Sequence, residues 1–133
     1  DTATGSNFGG ERSFQAWSTK AQILQKLGRN DEAARVMQTA LPYGNMNEVH
    51  QYGRQLLALK QGKMALDVFK MNYDKYPNSF TTLVGLTRGY SAVGDYQNAL
   101  KYANMALPLA PDQQNKNSVS TMIDKLKQNK DVN

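Results

Sequence analysis

The chain has 133 residues, enough for one domain with a real core, and its 40% hydrophobic and 20% charged content is not that of a disordered polyelectrolyte. Its net charge of +5 is spread along the chain: residues 1–66 hold eight Lys/Arg against five Asp/Glu, and residues 67–133 hold eight against six. This leaves no basic run suited to tracking a nucleic-acid backbone, so nucleic acid is not an expected partner. The absence of cysteine excludes disulfides, thiolate catalysis and zinc–cysteine sites, and no apolar run reaches the roughly 18 residues of a spanning helix.

The first segment, "DTATGSNFGGER", carries three glycines and no periodic apolar pattern. Residues 1–13 therefore read as a flexible arm or linker. The chain begins at Asp1 with no signal-type apolar run, which suits either a processed chain or a piece of a longer one. From Phe14 onward, apolar residues recur at helical spacing, and no alternating strand pattern competes.

The helical patterns repeat. Ala99, Ala103, Ala106 and Pro111 stand at offsets of 4, 7 and 12, and the same offsets recur at Ala65, Phe69, Asn72 and Pro77. Ala33, Met37 and Ala40 begin the series, so the units are 32 and then 34 residues apart. Each unit holds two helix-length segments, the signature of a helical-hairpin repeat. The expected units are 14–45, 46–79 and 80–111.

Small residues at Ala21, Gly53, Ala33, Ala65, Ala99 and Ala106 let helix axes approach closely. Gly28 and Gly94 shortly precede Asp31 and Asp95, the order expected of a helix stop followed by an N-cap. Pro77 and Pro111 close their units because proline disfavours helix in the residue before it. After Pro111, Val119, Met122, Ile123 and Leu126 form one apolar stripe at i, i+3, i+4 and i+7. Residues 112–133 thus read as a capping helix and tail that covers the last repeat and turns a polar face to water.

These residues resemble the tetratricopeptide repeat family. The first unit resembles it at Trp17, Ala21, Leu24, Gly28, Ala33, Met37 and Ala40; the second at Tyr52, Gly53, Leu56, Ala65, Phe69 and Pro77; the third at Leu83, Leu86, Tyr90, Gly94, Ala99, Ala106 and Pro111. The chain departs from the family at Lys20, Asn45, Lys60, Asn72, Thr87 and Ala103, and Gly62 stands two residues later than the usual turn glycine. The resemblance implies an all-α fold, an α-α superhelix of three such hairpins with a C-terminal capping helix. The segments "KAQILQKLGRNDEA", "HQYGRQLL", "VGLTRGYSAVGDYQNALKYA" and "KLKQNKDVN" are also similar to the helical C-terminal region of a secreted bacterial family of uncharacterised function with an N-terminal β domain. That second resemblance implies a secreted or periplasmic protein, with the cytoplasm as the alternative, and an upstream β domain covering the uncapped first repeat.

The sequence offers little for catalysis. Its one histidine, His50, has Glu48 at i−2, too near to face it on a helix, and the acidic residues are scattered. No enzymatic activity, metal or cofactor is expected. Gly85, Gly89 and Gly94 fall in a helix pattern and its end, unlike a phosphate loop. Trp17, Tyr52, Tyr90, Met64 and Met105 read as packing residues.

What remains is the groove that the family lines with the first helix of each repeat. Its positions carry over to Gln15, Ser18, Thr19 and Gln22; to Asn47, His50, Gln51 and Arg54; and to Thr81, Val84, Gly85 and Arg88. Gln22, Arg54 and Arg88 occupy one place in successive units, with His50 one turn before Arg54. Ser18 stands where the family's clamp for a C-terminal carboxylate carries its first lysine, so that chaperone-tail mode is not supported. The expected function is a protein–protein interaction module that holds an extended or acidic peptide in the groove. Arg54 and Arg88 would supply charge, and Gln22, Asn47, His50 and Gln51 hydrogen bonds. The alternative is a structural domain packed on an upstream β domain, with no groove ligand.

Overall fold

In a computed structural model, the described residues are 10–133, with side chains from residue 14 onward. Residues 1–9 of the expected arm lie outside them. Among the described residues the fold is all-α, with seven α-helices and two short 3-10 turns. The helices are α1 (Gly10–Lys26), α2 (Asn30–Ala40), α3 (Met46–Ala58), α4 (Gly62–Lys75), α5 (Phe80–Ala92), α6 (Tyr96–Ala106) and α7 (Gln113–Lys127). Helix α1 thus begins four residues before Phe14. Two compact units divide the chain, the first ending at Glu48 and the second running Val49–Asn133.

In the first unit, α1 and α2 form a hairpin. Phe14, Ala21 and Leu24 from α1 meet Ala33, Met37 and Ala40 from α2 in a core closed by Leu41. Trp17 is half-buried and packs edge-on against Tyr43, with ring centroids 5.4 Å apart. The expected N-cap at Asp31 is corrected by the backbone: Arg29 caps α2, and Asp31 lies inside the first turn. Asp31 and Glu32 still place negative charge at the helix's positive end, and Arg29 Nε donates to Glu32 Oε1 at 2.7 Å. Asn45, which breaks the family pattern, begins a capping box: its Oδ1 accepts from Glu48 N–H (2.8 Å) while its own N–H donates to Glu48 Oε1 (2.9 Å).

In the second unit, successive helices from α4 to α7 pack in chain order. Phe69 of α4, 1% exposed, is its largest fully buried side chain. Two glycines make room for its ring: a methyl at Gly53 would stand 2.5 Å from Phe69 Cε1, and one at Gly85 would stand 2.6 Å from Cδ1. Gly89 allows α5 to approach the Cα of Leu66. The third unit's two departures, Thr87 for a small residue and Ala103 for an aromatic, are accommodated differently. Thr87 donates its buried hydroxyl to the Leu83 carbonyl at 2.9 Å, and Ala103 is buried in the cluster of Leu83, Ala99, Ala106, Val119, Ile123 and Leu126. The stripe of α7 is buried throughout, so this helix covers the last hairpin as expected. Asp95 and Asp112 cap α6 and α7 by accepting from Asn98 N–H and Asn115 N–H.

Tyr52 is buried, and Tyr90 stacks on Tyr102 with centroids 5.6 Å apart and planes 4° from parallel. Met64 and Met105 depart from the packing role expected of them: they are 37% and 39% exposed. Helical spacing marks a face, but it does not mark how far round the helix the neighbours reach.

Four helices end alike. Gly28, Lys60, Gly94 and Asn129 have φ of 78°, 62°, 82° and 56°. In each case the next residue's N–H reaches back to the carbonyl five residues earlier, as Gln61 does to Leu56 (2.9 Å) and Asp95 to Tyr90 (2.9 Å). Lys60 therefore holds the left-handed position that glycine fills in the other two hairpins. Beyond α7 the chain folds back onto α5. Ser91 donates its hydroxyl to Asp131 Oδ1 (2.6 Å) and accepts from Val132 N–H (2.9 Å), while Asn133 Nδ2 donates to the Arg88 carbonyl (2.9 Å). Burial opposes ionisation of Asp131, but bonds from Ser91, Asn133 and Val132 outweigh it and hold the carboxyl below its usual range.

Two expectations follow from the turns and the packing. A left-handed residue bearing a Cβ costs about 1–2 kcal/mol, partly offset by glycine's greater entropy loss on folding, so Lys60→Gly raises unfolding stability by about 0.5–1 kcal/mol in urea titration. Gly85→Ala drives a methyl into the Phe69 ring and lowers stability by about 1–3 kcal/mol, whereas a surface-like outcome within about 0.5 kcal/mol contradicts the packing described.

Candidate functional site

Helix α3 carries His50, Gln51 and Arg54 from its second turn onward, and α5 carries Arg88 in its last turn but one. His50 and Arg54 share a face because they are one helical turn apart. Phe69 joins the two helices from beneath. Its ring fits against Gly53 of α3 and Gly85 of α5, and the His50 imidazole packs on it with centroids 5.5 Å apart at 52°. Those contacts bring the basic face of α3 near Arg88.

The electrostatics record the proximity. Burial lowers the pKa of His50 from 6.5 to about 4, and the charges of Arg54 and then Arg88 push it the same way. Arg88 is itself lowered, first by burial and then by the charge of Arg54. His50 is therefore neutral at physiological pH. No carboxylate counts among the causes acting on His50 or Arg88. The ion pair seen among the described residues, Arg29 with Glu32, lies in the first unit.

Two nitrogens in this cluster are buried without an acceptor or donor opposite them: His50 Nδ1 and Arg88 Nε. Buried polar atoms almost always have partners, so such orphans mark a place where something polar belongs. Arg54 and Gln51 are exposed, and Arg88 and His50 are half-buried. The cluster thus runs from solvent down to the Phe69 ring.

Of the six residues expected at the site, the structure brings His50, Arg54 and Arg88 into mutual electrostatic range. Gln51 follows His50 on the exposed side of α3. Gln22 and Asn47 belong to the first unit, where both are exposed. Sequence reasoning placed Phe69 only as a position of the repeat pattern and missed that it seats the imidazole. The pairing of Phe69 with glycines at both Gly53 and Gly85 was the available signal. It also missed Ser91 and the 131–133 segment, which hold the α5 end next to Arg88. Among the described residues, no group of His, Asp or Glu side chains is placed to hold a metal ion, and no helix is long and apolar enough to cross a membrane.

Comparison with known proteins places this geometry. The tetratricopeptide repeat family matches residues 82–116, which span α5, α6 and the start of α7. Tetratricopeptide repeat protein 8 of Mus musculus is 30% identical over 93 residues, covering 67% of this chain and 18% of that protein. The protein of the same name from Homo sapiens is 30% identical over 90 residues, covering 65% of this chain and 17% of its own length. The chain therefore spans about 18% of the length of the mouse relative it matches. No solved structure matches. These matches support the tetratricopeptide resemblance and leave the secreted bacterial family without support. The chain is an all-α protein of tetratricopeptide-like helical hairpins, similar over residues 82–116 to a repeat whose general role is protein–protein interaction.

Proposed function

We propose that this chain is a protein-binding module that holds an extended, acidic peptide along the face shared by α3 and α5. The observation that carries the reading is that, among the described residues, neither Arg54 nor Arg88 forms an ion pair, and Arg88 is half-buried with its Nε unpartnered. A peptide carboxylate would accept from these forks in the planar geometry that arginine favours. His50, neutral at physiological pH, would offer an imidazole hydrogen bond rather than a third charge, and Gln51 would reach the peptide backbone. A scaffold of packed helices loses little conformational freedom on binding, so a few such contacts suffice.

The test is a charge change on this face. With a labelled oligoglutamate peptide as probe, Arg88→Gln is expected to weaken binding about tenfold, the scale of one charge-assisted hydrogen bond. Reversal of both Arg54 and Arg88 to Glu is expected to abolish binding while the helical circular dichroism spectrum stays intact. Affinity unchanged by the double reversal refutes the reading.

The same cluster sets a pH dependence of stability. His50 has a folded pKa of about 4, below its ordinary 6.5. Between these values the unfolded chain binds a proton that the folded chain does not, so the stability held above pH 6.5 is lost as pH falls toward 4. His50→Gln is expected to flatten this part of the profile. Urea midpoints for both proteins at pH 7 and pH 4.5 measure it, and an equal acid loss in the two contradicts the placement of the imidazole.

A further inference from the structure

The cluster on α3 and α5 holds two guanidiniums, Arg54 and Arg88, and an imidazole seated on the Phe69 ring, with His50 Nδ1 and Arg88 Nε buried and unpartnered. Like charges gathered over a buried phenylalanine are unfavourable unless something compensates them. Among the described residues nothing does: Arg88 is influenced by Arg54 and by burial, and by no acid. Neither Glu48 nor Asp131 is among the charges acting on His50 or Arg88. Glu48 closes the Asn45 capping box through Oε1 while its Oε2 is buried without a partner, and Asp131 is held by Ser91 and Asn133. An anionic ligand would supply the compensating charge, and the charge count bears on which kind.

A side-chain carboxylate brings one negative charge and would leave one guanidinium uncompensated. A phosphomonoester brings about 1.5–2 negative charges at neutral pH and three strong acceptor oxygens. That is enough to accept from both guanidinium forks and from an imidazole N–H at once. We propose that the anion this cluster takes is a phosphomonoester, carried on a serine or threonine side chain of the peptide in the groove. The inference rests on the proposed peptide-binding reading of the α3–α5 face and narrows its ligand. Phe69 supplies the floor: its ring holds the imidazole in place, so the third donor is positioned before the ligand arrives. Arg54, exposed at the rim, would meet the phosphate first, and Arg88 would hold it from below.

The experiment compares three short glycine-rich peptides that differ at one central residue: phosphoserine, aspartate or serine. Titration calorimetry at fixed ionic strength is expected to give the phosphoserine peptide at least a tenfold tighter Kd than the aspartate peptide, with no measurable binding of the serine peptide. The Arg88 Nε–H resonance is expected to shift on addition of the phosphopeptide. Arg88→Gln and Arg54→Gln, each checked for an intact circular dichroism spectrum, are both expected to erase the preference. Equal affinity for the aspartate and phosphoserine peptides overturns this inference while leaving the acidic-peptide reading standing. Failure of both acidic peptides and of oligoglutamate to bind overturns the two together. Phosphopeptide binding that survives both arginine substitutions places the phosphate elsewhere and also overturns the inference.

Discussion

The second unit depends on one contact, the ring of Phe69 slotted between two helices that have no side chain where it lies. Gly53 and Gly85 are not interchangeable with alanine, because the space a methyl would take is already occupied by aromatic carbon. Full burial of a phenylalanine contributes about 1.5–3 kcal/mol, and the contact draws α3 and α5 close enough for their polar faces to act on one another. It also seats His50. Packing and electrostatics are therefore two results of one choice: the ring that stabilises the hairpins also assembles the basic cluster.

That cluster works against the stability of the fold that creates it. Arg54 and Arg88 disfavour charge on His50, Arg54 disfavours it on Arg88, and two nitrogens are left buried without partners. Natural cores seldom keep such an arrangement for packing alone, and local conflicts with good folding tend to fall where a protein binds something. The helical hairpins account for the fold class and for the general role in protein interaction.

How much of this could be read in advance varied with the range of the interaction. The repeat spacing, the apolar stripe of α7 and the glycine turns at Gly28 and Gly94 are local patterns, and they were legible. Lys60 was not, because its backbone takes a left-handed conformation that its side chain disfavours, and the turn is imposed by the helices on either side. Asn45 looked like a missing proline and is instead half of a capping box. Asp31 looked like a cap but sits two residues beyond Arg29, the residue that fills the role. At the site, the i, i+4 relation of His50 and Arg54 follows from one helix. The approach of Arg88 depends on how Phe69 packs across helices, which no single segment encodes.

The return of residues 131–133 to Ser91 and Arg88 changes how the last hairpin behaves as a folding unit. Helical repeats ordinarily stack through near neighbours, so an end can fray without disturbing what lies inward. Here bonds spanning 40 to 45 residues tie the end of the chain to the last turns of α5. Opening α7 exposes a serine hydroxyl and a carbonyl that its own tail had satisfied, as well as the apolar stripe. The terminal helix and the helix that carries Arg88 therefore share one opening event, and the terminus is protected to the same degree as the last turns of α5 beside it.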